Sequence, residues 1–320
     1  MPRFDVSSVG LYVVDILGRP VTRIPEGGRA DYIEEIRMTV AGTAGATAMD
    51  CGILGLATQA VSLVGRDALG DFLVSTLQGH GVDCACIGRT SAAQTSATIL
   101  PVRPNGERPA LHVPGTAALF TLGEASFEAV LNARILHVGG TGLLRSFDGE
   151  PTLALLRAAK AKGLTTTFDL IQATPAVVAL VEAMLPMVDW FIPSIDEARG
   201  LTGLEAPRAV AQALRAKGAG NVILTLGGEG VYVLDADGGA LHLPAHDIPV
   251  VDTTGCGDCF SAGVIFGLTK GWPLEQTLRF ATAASAKVAM ALGSDGLLTS
   301  FEDTWQAMQS LPLRALQPVA

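Results

Sequence analysis

The stretch 251–258, Val-Asp-Thr-Thr-Gly-Cys-Gly-Asp, is the part of the chain that most decides its fold. It places two glycines and two aspartates directly before an apolar segment in which Phe260, Val264 and Leu268 recur at helical spacing. A helix that begins at these glycines directs its free backbone N–H groups, and the positive end of its dipole, into the turn. The turn is therefore predicted to bind an anion such as phosphate.

Asp258, the last residue of this turn, is not needed to bind an anion, because a carboxylate repels phosphate. Its presence favours a chemical role, namely removal of a proton from a hydroxyl that attacks phosphorus. The alternative is a tight strand-to-helix turn with a capping aspartate. A cap requires one polar residue rather than two aspartates and two glycines, so the turn favours phosphoryl transfer.

The composition indicates a folded protein with a large core. The chain has 320 residues, of which 49% are hydrophobic and 17% charged, which argues against disorder. This length fits one large domain or a domain with a smaller lobe, and we expect a single domain over 1–320. The net charge is −9, and Lys and Arg form no run. Both features argue against nucleic acid as a partner.

The mean hydropathy of +0.40 raises the question of a membrane. The most apolar stretch, 175–192, contains Glu182, Pro186 and Asp189, so it never reaches the roughly 20 apolar residues of a membrane span. Asp5 and Asp15 interrupt the N-terminal apolar run, which makes it a poor signal peptide. We therefore expect a cytoplasmic protein with reduced cysteines and no membrane partner.

The cysteine spacing leaves one metal hypothesis open. Cys84 and Cys86 combined with Cys256 and Cys259 have the composition of a four-thiolate zinc site. The second pair lies in the phosphate turn, and Cys-x-Cys is a less usual ligand spacing than Cys-x-x-Cys. Small, partly buried cysteines without metal are the favoured interpretation.

Apolar, β-rich runs alternate with helical patterns along most of the chain. The predicted strands are 4–9, 60–64, 135–138, 165–170, 190–192, 222–225 and 231–234. The predicted helices are 42–56, 69–79, 151–162, 175–185, 196–202, 206–217, 259–268, 274–292 and 301–309. This alternation predicts an α/β fold with a mostly parallel sheet covered on both faces. Ligands bind such sheets beyond the carboxyl ends of the strands.

Two stretches break the alternation. Residues 11–40 have extended segments with Pro and Gly in their turns, and 96–113 is typical of a hairpin around Asn105-Gly106. We expect the two to pair into a small β-sheet that forms a lid over the mouth of the main sheet. Phosphoryl transfer to a hydroxyl needs such a cover to exclude water. Hairpins without a functional role are the alternative.

Further candidate site residues follow predicted strands or begin helices. Gly-rich 225–230 would let a phosphate or purine approach the backbone, although this signal is weak alone. Small residues over 41–48 would let a ligand lie close to a helix, or would only pack that helix closely. Asp15 follows a strand by a short turn and Asp169 stands at the end of one; both have the chemistry to bind sugar hydroxyls, or are solvated turn residues.

In this order and spacing, the pieces resemble the ribokinase-like carbohydrate kinases of the PfkB family over about residues 4–299. The stretch 252–258 looks like the C-terminal signature of that family, and Gly-Arg-Asp-x-x-Gly at 65–70 looks like a second characteristic element. The resemblance implies a three-layer α/β/α fold with a small β-sheet lid. Because that lid often mediates dimerisation in the family, a homodimer through the lid is expected.

The resemblance also implies roles for the matched residues. Asp258 would be the catalytic base, and the N–H groups of Gly255, Cys256 and Gly257 would stabilise the transferred phosphoryl group. The expected ATP and Mg²⁺ site consists of Ser194, Glu197, Thr225, Gly227, Gly228 and Gly230. The expected sugar site consists of Asp15, Gly42, Thr43, Ala46 and Asp169, with Arg108 of the hairpin. The expected site for a monovalent cation, K⁺ in the family, consists of Asp252 and Thr254.

Three departures from the family pattern bear on function. Ser194 and Ala46 each stand where the family usually has asparagine, and Leu297 falls near the position of a polar cation ligand. The Ala46 departure weakens any transfer of ribose or fructose specificity. The Leu297 departure bears on activation by a cation.

The expected function is ATP-dependent phosphorylation of a hydroxyl of a small carbohydrate or sugar acid. A nucleoside kinase of the same fold is one alternative, and it would need an aromatic face such as Tyr12, Tyr32 or Phe120. A non-catalytic sugar or nucleotide sensor is another, motivated by Ala46 and Ser194. Retention of Asp258 argues against a sensor, because a sensor has no need of a base.

Overall fold

The computed structural model describes residues 2–171 and 173–316, which contain thirteen strands, ten α-helices and four short 3-10 segments. The strands are β1 (Phe4–Gly10), β2 (Val13–Arg19), β3 (Glu35–Ala41), β4 (Thr58–Gly65), β5 (Asp83–Thr90), β6 (Ala97–Pro101), β7 (Leu111–Val113), β8 (Ala133–Thr141), β9 (Thr165–Leu170), β10 (Trp190–Phe191), β11 (Asn221–Thr225), β12 (Val231–Leu234) and β13 (Ala240–Leu243). The α-helices are α1 (Thr43–Ile53), α2 (Ala68–Gly79), α3 (Phe127–Val130), α4 (Glu150–Ala161), α5 (Pro175–Met184), α6 (Ile195–Thr202), α7 (Pro207–Ala216), α8 (Cys256–Lys270), α9 (Leu274–Ala289) and α10 (Phe301–Ser310).

Nine strands form one large sheet in the order β13-β12-β11-β10-β9-β8-β1-β4-β5. Every neighbouring pair is parallel except β11–β12 and β12–β13. Parallel neighbours need long crossover connections, and helices supply most of them here. The predicted α/β class with a mostly parallel sheet is confirmed.

Helices cover both faces of this sheet. On one face, α4, α5 and α7 contribute Leu155, Val181 and Leu214 to the largest apolar cluster of the molecule. On the other face, α8 and α9 pack against the strands, with α1 and α2 farther along the sheet. Strand β11 is buried from both sides, because Val222 and Leu224 face the first layer and Ile223 faces the second. Burial on both faces explains why its sequence is a continuous apolar run.

Every predicted strand and helix is present, with its ends shifted by a few residues. The strands that the sequence pattern did not predict in the large sheet are β5 and β13, and these are its two edges. An edge strand pairs on one side only and is partly exposed, so it lacks the apolar run of a central strand. In β5 the sequence is Asp-Cys-Ala-Cys-Ile-Gly-Arg-Thr, with no residue fully buried.

The cysteine pair of the zinc hypothesis, Cys84 and Cys86, lies in this edge strand, whereas Cys259 is buried in α8. Among residues 2–171 and 173–316, no group of three or more His, Cys, Asp or Glu side chains is arranged to hold a metal ion. Nor does any helix in these two ranges have the length and apolar character needed to cross a bilayer.

A separate four-stranded sheet has the order β3-β2-β6-β7. Strand β2 is antiparallel to β3 and parallel to β6, and β6 is antiparallel to β7. Asp15 pairs with Thr39 and Thr98, and Thr98 pairs with His112, so one face is polar. We refer to this four-stranded sheet as the small sheet and to this face as its inner face.

The opposite, outer face of the small sheet is apolar and exposed. Its exposed side chains are Ile36, Met38, Ile99, Leu111 and Val113. Strict alternation along each strand places the two sets on opposite faces. One sheet therefore presents carboxylate and hydroxyl groups on one side and aliphatic groups on the other.

Candidate active site

The turn before α8 has a backbone that only glycine accommodates. Gly255 is the N-cap of α8 with φ of 76°, in the left-handed region. A Cβ atom at this position would lie 2.5 Å from the Cα of Ser294. No side chain caps α8, so the N–H groups of its first turn remain available to a ligand.

Asp252 holds this turn from within. The side chain is fully buried, and its Oδ1 accepts hydrogen bonds from the N–H and the hydroxyl of Thr254 at 3.0 and 2.8 Å. Its Oδ2 accepts a hydrogen bond from the N–H of Gly293 at 2.9 Å. The Asp252 carboxylate thus joins the turn to residues 293–294, which in turn contact Gly255. These hydrogen bonds of Asp252 fix the direction of the N-terminus of α8.

A cleft of about 840 Å³, counting its open mouth, lies beside the turn. One wall is the 225–230 segment, with Thr225, Gly227, Gly228 and Gly230, and the floor includes Cys256 and Gly257 of α8. The opposite wall is apolar, with Ile248, Val250, Ala286 and Ala289 among its residues. A glycine-rich wall, an apolar slot and a helix N-terminus together suit a nucleotide.

Ser194 and Glu197 lie next to this cleft as the capping box of α6. The N–H and hydroxyl of Ser194 donate to Oε2 of Glu197 at 2.9 and 2.6 Å, and the Glu197 N–H donates to the Ser194 hydroxyl at 3.3 Å. Ser194 also forms a parallel β-bridge with Thr225. The serine that replaces the expected asparagine therefore holds the glutamate beside the cleft.

Four carboxylates converge on the same region. Burial, with added repulsion from Asp15 and Glu197, raises the pKa of Asp258 to about 7. Burial likewise raises the pKa of Asp15 to about 6. Burial, with repulsion from Glu197 and Asp258, holds the pKa of Asp169 well above its usual range. Carboxyl groups that titrate near neutral pH are suited to proton transfer.

Arg108 brings positive charge to these carboxylates from the loop between β6 and β7. Its Nη1 donates to the hydroxyl of Thr254 at 2.9 Å. The Arg108 guanidinium lowers the pKa of both Asp15 and Asp258, which partly offsets burial. An arginine of the small sheet thus reaches across the site to the turn before α8.

The family model of the pfkB carbohydrate kinases matches residues 4–299 of the chain. The chain belongs to the pfkB family of carbohydrate kinases. It is therefore a sugar kinase, and the resemblance of the signature at 252–258 is confirmed over nearly the whole length.

Relatives agree with this assignment. The kinase is 28% identical over 281 residues to a 2-dehydro-3-deoxygluconokinase of Bacillus subtilis. The matched region covers 83% of this chain and 87% of that protein. An Arabidopsis thaliana ribokinase solved with ribose and ATP superposes with a TM-score of 0.80 at 22% identity, over 96% of this chain and 99% of that one. An Escherichia coli protein solved with ATP and Mg²⁺ superposes with a TM-score of 0.83 at 19% identity, over 96% of this chain and 99% of that one.

The start of α1 lies against the start of α8 in this kinase. The Thr47 hydroxyl donates to the carbonyls of Thr43 and Asp258, at 2.6 and 3.2 Å. The expected sugar contact Ala46 has no exposed surface, and the Thr43 hydroxyl packs 2.8 Å from the position that a Cβ of Gly139 would take. It is therefore Gly42, the N-cap of α1, that has both a special backbone, with φ of 82°, and partial exposure.

The aromatic residues that could have stacked on a nucleoside base do not lie beside Asp258. Tyr12 is buried in the core and donates from its hydroxyl to the Ser8 carbonyl at 3.0 Å. Phe120 packs on Phe147 in another part of the core, with ring centroids 4.9 Å apart. Tyr32 is fully exposed. None of the three provides a stacking face for a base beside Asp258.

Sequence reasoning missed two arginines of the site. Arg37 of β3 contacts Asp295 and the Leu292 carbonyl, and Arg314 lines the cleft beside Gly228. A signal for Arg37 existed, because it alternates in β3 with the apolar Ile36 and Met38. Nothing in the sequence around Arg314 indicates that the C-terminal segment returns to the cleft.

The raised pKa of Asp258 predicts a pH-dependent stability difference. Its folded pKa of about 7 exceeds the ordinary value of an aspartate, 3.8, so ionisation in the folded state costs free energy that grows as pH rises from about 4 to 7 and is constant above. Asp258→Asn removes this cost. We expect the variant to melt about 2 °C or more above the parent at pH 8, and the difference to be clearly smaller at pH 5.

Thermal unfolding of the ligand-free proteins measures this difference, with the exposed Asp237→Asn as the control that shifts neither temperature. An Asp258→Asn variant with the same melting temperature as the parent at pH 8 would contradict the raised pKa.

Proposed function

We propose that this kinase transfers the γ-phosphoryl group of ATP to a hydroxyl of a small sugar acid or related carbohydrate, with Asp258 as the base. The observation that carries the proposal is the position of Asp258. Its carboxyl group, with a pKa of about 7, lies in the first turn of α8, whose N–H groups have no side-chain cap. Base and anion site therefore belong to one turn.

In the proposed reaction, Asp258 takes the proton of the acceptor hydroxyl while the hydroxyl oxygen attacks the γ-phosphorus. The bond between that phosphorus and the β–γ bridging oxygen breaks, and ADP leaves with the electron pair. The N–H groups of Gly255, Cys256 and Gly257 face the transferred group and stabilise its negative charge. A pKa near 7 leaves much of Asp258 ionised at neutral pH, so the base is ready to accept a proton.

The cleft with Thr225, Gly227, Gly228 and Gly230 is the proposed ATP site. Glu197 and Asp169 are partly or fully buried carboxylates beside it, and hard oxygen ligands of this kind suit Mg²⁺. Mg²⁺ bound there with the phosphates would neutralise part of their charge. Ser194 keeps Glu197 in place through three hydrogen bonds. A glutamate fixed in this way could bind Mg²⁺ through a bridging water molecule.

Arg108 favours a sugar acid as the acceptor. Asp15, Asp169, Glu197 and Asp258 give the site excess negative charge, which repels an anionic substrate unless a cation compensates. The guanidinium of Arg108, bonded to Thr254 beside these carboxylates, is the proposed cation, and its geometry suits a carboxylate. The 28% identity to a kinase named for a sugar acid supports the same choice.

The small sheet is the proposed lid of the sugar site. Its inner face carries Asp15, which lies close enough to Asp258 to raise the pKa of that base. A sugar held between this face and α8 would be shielded from water, and this shielding limits the hydrolysis of ATP. Gly42, at the start of α1, is a proposed further contact of the sugar.

The assay that tests the proposed function uses purified protein, Mg-ATP and a panel of sugars, sugar acids and nucleosides, with ADP as the readout. We expect turnover with sugar acids and a fall in kcat of about 10²–10⁴-fold in Asp258→Asn, because the base is lost. Asp237→Asn should keep full activity. Turnover that survives Asp258→Asn would contradict the role of the base, and stabilisation by sugars without ADP formation would instead support a sensor.

Arg108→Met should discriminate substrate classes. We expect KM to rise about tenfold or more for an aldonate and less than about threefold for the aldose of equal length, because one charge-assisted contact is lost. Loss of the guanidinium also raises the pKa of Asp258, so the acidic limb of the kcat/KM profile should move to higher pH. Arg103→Met, in the same loop but bound to the Thr22 carbonyl, is the control. An equal effect on both substrates would contradict the sugar-acid proposal.

We also propose that two copies of the chain associate through the outer face of the small sheet. Ile36, Ile99 and Leu111 are 69%, 54% and 64% exposed there, on strands β3, β6 and β7 of one sheet. Contiguous exposed aliphatic groups mark an interaction site. A second copy is the fitting partner, because a two-fold axis pairs such a patch with itself.

Ile99→Asp places a charge at the centre of this face. We expect the parent to elute as a dimer and the variant as a monomer in size-exclusion chromatography with light scattering, because burying an unpaired carboxylate is costly. Leu204→Asp, at an exposed position away from the sheet, should remain dimeric. A monomeric parent would contradict the proposal.

A further inference from the structure

The side chains expected to hold a monovalent cation already have protein partners. Asp252 accepts three hydrogen bonds, two from Thr254 and one from Gly293. The Thr254 hydroxyl donates to Asp252 and accepts from Arg108. Leu297, near the third expected position, has no polar group in its side chain. The residues present therefore do not fit K⁺ at this place.

A protein cation lies on the adjacent loop instead. Arg37 of β3 directs its side chain to the inner side of the small sheet, and its Nη2 lies 2.8 Å from both carboxylate oxygens of Asp295. Its Nη1 donates to the carbonyl of Leu292. The side chains of Arg37 and Asp295 are 30% and 21% exposed, so water reaches this pair only in part.

The contacts of Arg37 continue to the phosphate turn. A Cβ on Gly293 would lie only 3.3 Å from Cδ of Arg37, and the N–H of Gly293 donates to Asp252. The next residue, Ser294, donates to the Val40 carbonyl of β3, and its hydroxyl lies 2.7 Å from that of Thr39. The backbone of Ser294 contacts Gly255, the N-cap of α8. Strand β3, residues 292–295 and the turn thus form one connected unit.

We propose that Arg37 is a built-in cation that holds residues 292–295 against the phosphate turn, so that this kinase needs no monovalent cation. The guanidinium supplies the positive charge, and its donors bind the Leu292 carbonyl and the Asp295 carboxylate, which are oxygens of the kind that cations coordinate. Because Arg37 belongs to the small sheet, it also makes the order of the phosphate turn depend on the position of that sheet. Arg37 acts through Asp252 and Gly255, and is a positioning residue.

The proposal rests on the kinase function, and the experiment has one arm that does not depend on turnover. Melting temperatures of the parent and of Arg37→Met are measured in KCl and in tetramethylammonium chloride of equal concentration. We expect the parent to show the same value in both salts. Arg37→Met should melt lower in tetramethylammonium chloride and regain part of the loss in KCl, because the vacated oxygens accept K⁺.

The second arm measures kcat and KM in the same salts. We expect the parent to vary less than about twofold, and Arg37→Met to lose about tenfold or more in kcat without K⁺, the size expected for one charge-assisted hydrogen-bond pair. K⁺ or millimolar guanidinium should restore part of that kcat. Arg23→Met, which removes an exposed arginine paired with Asp31, should behave as the parent.

Activation of the parent by K⁺ of more than about fivefold would overturn the proposal. The proposal would also fail if Arg37→Met, measured without K⁺, had the same kcat and melting temperature as the parent. If Arg37→Met does not fold, Asp295→Asn takes its place, because it removes the other partner of the Arg37–Asp295 pair. The comparison of the parent in KCl and in tetramethylammonium chloride also tests by itself whether the kinase needs K⁺. If no substrate in the panel is phosphorylated, the melting arm still tests the role of Arg37 while the proposed function fails separately.

Discussion

The buried carboxylate of Asp252 is the contact on which the site depends. It is fully buried, accepts two hydrogen bonds from Thr254 within the turn, and joins the turn to Gly293 through a third. A buried carboxylate without such donors would cost several kcal/mol, so its presence constrains both segments at once. That constraint places Ser294 against Gly255 and so sets where α8 begins. The direction of the α8 N–H groups, and the position of Asp258 one turn later, follow from it.

Charge is the second organising principle of the site. Asp15, Asp169, Glu197 and Asp258 are gathered where the strands of the large sheet end, and burial and mutual repulsion raise their pKa values. A site of this kind is unstable by itself, and proteins commonly accept such a cost where function requires it. Arg108 offsets part of the repulsion. Because Arg108 comes from the small sheet, the electrostatics of the base are linked to the position of that sheet.

Much of the fold was predictable because its central strands are buried on both faces. Such strands have continuous apolar runs, and β11 shows the effect clearly, with Val222, Ile223 and Leu224 all buried. The edge strands β5 and β13 were not predicted, since partial exposure removes that signal. The glycines of 225–230 gave only a weak signal, and the family resemblance added the expected role; Thr225, Gly227, Gly228 and Gly230 line the cleft. Ala46 was carried over by position, and its complete burial could not be foreseen from spacing.

The sequence by itself determined the glycine turn, the helix after it and the aspartate between them, because these depend on backbone freedom and on residues adjacent in the chain. It also determined membership of the pfkB family through the spacing of its signatures. Only the tertiary structure decided which distant groups meet that turn. Arg37 and Arg108 lie more than 140 residues before it in the chain, and Arg314 lies after it. Their contacts arise from sheet pairing and from the return of the C-terminal segment, neither of which leaves a local pattern.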